Sequence, residues 1–119
     1  MFKQCTLCGW KWEKRDEFLT DPGVKLVGYQ VRFFQLTTGL FLFNHLAPDC
    51  LTTLAIPAGQ FEDLYHGPVF QVRVTGTKAC PGHCQRECDL EPCPQKCECA
   101  YVREIIQIVR TWPKHGVSA

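Results

Sequence analysis

The sequence predicts an α+β fold: a small antiparallel sheet of about four strands, a short helix and a C-terminal helix, braced by clustered cysteines. Three observations carry this. Short alternating apolar segments, punctuated by Gly and Pro, fill the stretch before residue 77, as in hairpin-linked strands. Residues 100–112 instead space their apolar side chains at the helical period. Nine cysteines fall at 5 and 8, at 50, and in a crowd from 80 to 99, in a chain whose eight Phe, three Trp and three Tyr already furnish a core.

Each element follows in order. Cys5 and Cys8 form a Cys-x2-Cys loop, followed by Trp10, Trp12, Phe18 and Leu19. Asp21-Pro22-Gly23 is a strong turn signal. Over residues 27–33, Val27, Tyr29, Val31 and Phe33 lie on one face and Gln30 and Arg32 on the other, which predicts the first strand. Thr37-Thr38-Gly39 turns the chain. Leu40-Phe41-Leu42-Phe43 is apolar on both faces, as suits a central strand paired antiparallel with the first. Leu46-Ala47-Pro48-Asp49 is a second turn, and residues 51–56 form a third strand. After Pro57, residues 58–65 read as a short helix with Phe61, Leu64 and Tyr65 on one face, stopped by Gly67-Pro68. Phe70, Val72 and Val74 alternate with Gln71, Arg73 and Thr75, a fourth strand ended by Gly76. Pro81, Gly82, Pro92 and Pro94 exclude long regular structure from residues 80–99. Val102, Ile105, Ile106 and Val109 then define the C-terminal helix, its stripe widened by Tyr101, Ile108 and Trp112, and Pro113 ends it.

A chain of 119 residues is expected to be one domain, with a sheet portion (1–76), a cysteine-rich segment (77–99) and a helix (100–112). A domain of this length buries roughly 65% of its unfolded surface, so its core needs no staples. The net charge is +1 and opposite charges are interleaved, without the basic stripe of a non-specific nucleic-acid binder. No apolar run approaches the ~20 residues of a membrane span. The start, Met1-Phe2-Lys3-Gln4-Cys5, lacks the apolar region of a signal peptide. The expectation is a cytoplasmic protein in a reducing compartment, where free thiols and metal are favoured over disulfides.

Two constellations carry chemistry. In the first, a Cys-x2-Cys turn brings two sulfurs to the ~3.8 Å separation that Zn–S bonds of ~2.3 Å demand. His45 and Cys50 flank the Pro-containing turn between the second and third strands, and the intervening hairpin can return them to Cys5 and Cys8. The competing reading makes Cys50 a small buried hydrophobe and His45 an ordinary histidine. A thioredoxin-like role for Cys5-Thr6-Leu7-Cys8 is disfavoured, because no strand precedes it and Trp10-Lys11-Trp12 follows.

The second constellation holds Cys80, Cys84, Cys88, Cys93, Cys97 and Cys99. One zinc held by Cys80, Cys84, Cys97 and Cys99 is the simplest reading, with Cys93 competing for a place. Cys88, among Gln85, Arg86, Glu87 and Asp89, is the least favoured ligand. A two-metal thiolate cluster, an iron–sulfur cluster, disulfides in an exported protein and surplus thiols are the alternatives. Few large apolar side chains occupy residues 79–99, so a metal is the economical way to order them.

Both sites can be filled by Cys and His and so read as closed rather than catalytic. No phosphate-cradling glycine loop or His-Glu-x-x-His is present. Glu62 and Asp63 read as a solvated helix face, His66 and His115 as loop or tail residues, and no catalytic constellation is identified. Trp10 and Trp12 are expected to pack over the first site, with stacking on a base or a partner as the alternative.

Cys5, Cys8, His45 and Cys50 resemble the ligands of a zinc ribbon, the generic class in which a Cys-x2-Cys knuckle meets a second knuckle. The resemblance covers residues 5–50 and departs from the commoner second Cys-x2-Cys by being His-x4-Cys. It implies metal more than function, since such modules serve in nucleic-acid machinery, in protein–protein contacts and as braces. The resulting expectation is a small protein with two structural Zn2+ ions acting on another protein as an interaction or regulatory module. A thiol or metal redox sensor, an iron–sulfur electron carrier and a nucleic-acid-binding ribbon are the alternatives.

Overall fold

The computed structural model describes residues 1–32, 35, 38–47, 50–67, 82, 89–92 and 100–114. In chain order its elements are β1 (Lys3–Gln4), β2 (Lys11–Trp12), α1 (Arg15–Thr20), β3 (Val24–Gln30), β4 (Leu40–Ala47), β5 (Cys50–Pro57), a 3₁₀ helix (Ala58–Leu64) and α2 (Ala100–Arg110). They form an α+β fold with two antiparallel sheets, β1-β2 and β3-β4-β5. The fourth strand expected around Phe70, Val72 and Val74 lies outside the described residues.

The first twenty residues are more ordered than the sequence suggests. β1 and β2 are two residues each, too short to show a period, and backbone bonds around the cysteine turn hold them together. Cys5 N donates to Trp10 O at 2.8 Å, and Gly9 N donates to Cys5 O at 3.0 Å. Gly9 has φ +81°, the left-handed region that suits glycine in such a turn. α1 lacks a side-chain cap, yet it buries Phe18 and Leu19 completely, and that burial holds so short a helix in place.

Asp21 launches the main sheet. Its Oδ1 accepts from Gly23 N at 2.8 Å and its carbonyl accepts from Val24 N at 3.0 Å, closing a turn from which β3 starts at once. The strand therefore runs over Val24–Gln30, three residues earlier than the expected 27–33. A register shift between Leu26 and Gly28 explains the difference. Val24 and Leu26 face inward before it and Tyr29 after it, while the extra residue, Val27, is half-buried. The even-odd pattern thus changes parity inside the strand.

β4 is central, as its two-sided apolar character predicts. Phe41, Phe43 and His45 are buried on one face, and Leu40 and Leu42 are half-buried on the other. β5 pairs with it without a shift, from Leu40↔Pro57 to Ala47↔Cys50. Leu46 and Ala47 belong to β4 rather than to the turn.

The core lies between the inner sheet face and the helices. Phe61 of the 3₁₀ helix stacks on Phe41, with ring centroids 5.5 Å apart and planes 12° apart, and it meets Phe43 and Phe2 at its edges. α2 packs on the 3₁₀ helix and β3 through Val102, Ile105, Ile106 and Val109, the four positions its spacing selects. The same helix buries Arg103 completely. Nε of Arg103 donates to Glu91 O at 2.8 Å and Nη2 to the carbonyl and carboxylate of Asp89, so α2 clasps the 89–91 segment.

Candidate metal centre

Cys5 and Cys8 sit on the turn between β1 and β2, while His45 and Cys50 lie at the end of the β4-β5 hairpin. α1 and the turn at Asp21 fold the first sheet back onto the second, bringing the two tips together. The donor atoms of all four residues then lie within 4.8 Å of one another. Cys5 Sγ and Cys50 Sγ are 3.7 Å apart, close to the ~3.8 Å of two thiolates on one tetrahedral zinc. His45 Nδ1 is 3.4 Å from Cys50 Sγ and 3.9 Å from Cys8 Sγ. Zn–S and Zn–N bonds of ~2.3 and ~2.0–2.1 Å would place such atoms about 3.6 Å apart. Three sulfurs and one imidazole nitrogen at these separations can hold a metal ion.

The electrostatics point the same way. Burial raises the pKa of Cys5, but the backbone N–H groups of Cys8 and Leu7, with His45, outweigh it and bring the thiol down to about 6. Cys50 is pushed up to about 12, first by burial and then by its hydrogen bonds to, and the charges of, Cys5 and Cys8. One sulfur ionises readily and its neighbour then resists. A cation among the donors removes that conflict, because each thiolate then faces positive charge.

The surroundings fix the imidazole. Trp12 is buried edge to face against His45, with centroids 4.9 Å apart, and its Nε1 donates to Asp21 Oδ2 at 3.0 Å. His45 Nε2 is buried without a hydrogen-bond partner among the described residues, so Nδ1 is the nitrogen presented to the sulfurs. Of the expected aromatic pair, only Trp12 packs on the site; Trp10 is 51% exposed. Trp10 precedes β2 rather than continuing it, so alternation does not place the two rings on one face. The role of Asp21 was not evident beforehand, since in sequence it is merely the first residue of a turn.

Cys80, Cys84, Cys88, Cys93, Cys97 and Cys99 lie outside the described residues, as does His115. Glu62 and Asp63 are exposed, and Arg15 beside Asp63, at 2.6 Å, holds that carboxyl below its usual range. His66 is an exposed loop residue. Among the described residues no helix is long and apolar enough to cross a membrane.

Searches for similar proteins found no matching family model, no matching curated protein and no matching solved structure.

Proposed function

We propose that the chain is a small zinc-binding protein in which Cys5, Cys8, His45 and Cys50 hold a structural Zn2+ and the two metal-joined tips form a platform for another protein. The observation that carries this is the distribution of exposed apolar side chains around the donor cluster. Among the described residues the large exposed hydrophobics are Met1, Leu7, Trp10, Leu46 and Leu51. Leu7 and Trp10 flank Cys8 on one tip, and Leu46 pairs with Leu51 beside His45 and Cys50 on the other. Leu51 is 78% exposed and Leu7 63%. Exposed apolar side chains on both of the tips that carry the four donors favour an interaction surface there. The set of four soft and borderline donors suits zinc, and with no position left over the ion would be structural.

A second zinc at Cys80, Cys84, Cys97 and Cys99, with Cys93 in competition, rests on spacing alone, as does a reducing, cytoplasmic setting. Metal analysis tests the first site by difference. The wild-type chain should carry one more zinc than Cys5→Ser or Cys50→Ser, and equal zinc contents would remove the proposal. Cobalt exchanged into the site should give the visible bands of a tetrahedral thiolate complex. Those bands should survive Leu7→Asp and Leu51→Asp, which alter the platform alone.

The redox-sensor reading draws on one specific observation: Cys8 is exposed whereas Cys5 and Cys50 are buried. Peroxide attack would begin at Cys8. Zinc retained with an unchanged thiol count after peroxide treatment would exclude this reading.

A further inference from the structure

Cys5 Sγ and Cys50 Sγ lie 3.7 Å apart, on tips whose cysteines are 45 positions apart in the chain. Both residues are buried, whereas Cys8 is exposed. The sulfur of Cys8 nevertheless lies within 4.8 Å of the other two. One sulfur that an oxidant reaches from solvent thus stands beside two that are shielded from it. An S–S bond is about 2.05 Å long, so the buried pair closes by a shift of roughly 1.7 Å at the ends of two turns.

We infer that a hydroperoxide exchanges the proposed zinc for a Cys5–Cys50 disulfide and leaves Cys8 a free thiol, so that the two tips stay joined without metal. This exchange rests on the zinc reading only for the ion that departs. The Cys8 thiolate attacks one peroxide oxygen; an S–O bond forms, the O–O bond breaks and hydroxide leaves. The resulting sulfenic acid is no longer a thiolate donor, which loosens the ion. One of the two buried thiolates attacks the Cys8 sulfur, forming an S–S bond and expelling a second hydroxide. The other then attacks its buried neighbour, and Cys8 leaves as the thiolate. In sum, two thiolates lose two electrons, the peroxide gains them, two protons from solvent turn the hydroxides into water, and Zn2+ is released.

Three pairings are open to three sulfurs, and exchange selects among them. A Cys5–Cys8 bond closes only the short turn between β1 and β2, so it constrains the unfolded chain least. A Cys8–Cys50 bond spans nearly the same length of chain as Cys5–Cys50, but it must draw the exposed sulfur towards the buried one. Cys5–Cys50 gains the long loop and leaves both sulfurs in the buried positions they already hold. It also returns Cys8 to the surface beside Leu7 and Trp10, which are themselves exposed.

The zinc-loaded 119-residue chain, treated with hydrogen peroxide, re-equilibrated in a glutathione buffer, alkylated and digested without reduction, tests this. The peptide carrying Cys5 and Cys8 should be joined to the one carrying Cys50, with fragmentation placing the bond at Cys5 and the alkyl group on Cys8. A sulfenic-acid trap added during brief oxidation should label Cys8 before Cys5 or Cys50. The oxidised, metal-free chain should melt above the reduced, metal-free chain, and Cys50→Ala should lose that upward shift. If Cys50→Ala does not fold, the mapped bond decides alone. A final bond from Cys8 to Cys5 or Cys50, Cys50 joined to a later cysteine, Cys5 and Cys50 both alkylated after zinc has left, first trapping at a buried cysteine, or an equal shift in Cys50→Ala would each overturn the inference. Oxidation of the metal-stripped chain tests the pair by itself. Equal zinc contents in wild type and Cys5→Ser would remove the zinc reading and leave the disulfide standing, whereas zinc bound and released without this bond would do the reverse.

Discussion

Cys5 and Cys8 share one turn but sit in different surroundings, the first buried and the second exposed. Their serine variants should therefore separate metal loss from packing loss. Cys8→Ser removes a donor without touching the core, whereas Cys5→Ser also exchanges a fully buried sulfur for a smaller, more strongly hydrated hydroxyl and should cost more. Denaturant titration of the two variants with the metal removed from both should show that gap; equal stabilities would mean that Cys5 is not packed as described. Trp12 offers a second test. Replacing it with Phe deletes the indole bond to the buried Asp21 and leaves a gap beside His45, and should cost about 3 kcal/mol. The metal content should remain unchanged, because Trp12 is not a donor. That Cys5, Cys8, His45 and Cys50 come together was legible in the sequence, since only certain side chains bind metal and their spacing limits the geometry. The residues that hold the donors in place were not, because Trp12, Asp21 and the wall of His45 meet only after three turns have folded.

Elements were legible where a period runs long enough to read. α2 repeats its apolar spacing over three turns, and all four residues it selected are buried. The central position of β4 followed equally well from a run apolar on both faces. β3 was displaced because one extra residue, Val27, reverses the alternation within the strand, and no count of period two survives that. β1 and β2 have no period at all. Arg103 was hidden for another reason. It lies within the helical stripe as a cation, a position that normally faces water, but here two main-chain carbonyls and a carboxylate surround its guanidinium. Arg103→Ala should cost about 3–5 kcal/mol, the range for breaking a buried pair from one side. It should also release the 89–91 segment, seen as faster amide exchange there while the amides of Phe41 and Phe43 stay protected. Uniform loss of protection would show that Arg103 braces the whole core rather than this one segment.

At the scale of the molecule, the proposed zinc would join two sheets that share no backbone ladder. The cysteine turn of β1-β2 and the end of the β4-β5 hairpin each contribute half of the donors. The rings of Phe18, Phe41, Phe43 and Phe61 pack on one another, and Trp12, which touches both Phe18 and His45, links them to the tips. Metal loss should therefore loosen the tips before it unfolds the centre. A strong chelator should lower the melting temperature of the wild-type protein, by an amount that follows from the binding free energy lost, and readded zinc should restore it. Amide exchange should quicken first around Cys5, Gly9, His45 and Cys50, with Phe41 and Phe43 protected to higher temperature. Cys8→Ser should melt below the untreated wild type and near the wild type once both are chelated, so the chelator should shift it less. Metal bound by the later cysteines would contribute equally to both proteins, so the difference between them reports the first site alone. If the chelator shifts wild type and Cys8→Ser by the same amount, the four donors do not brace the fold, and the two tips are held together by Trp12, Phe18 and the turn at Asp21.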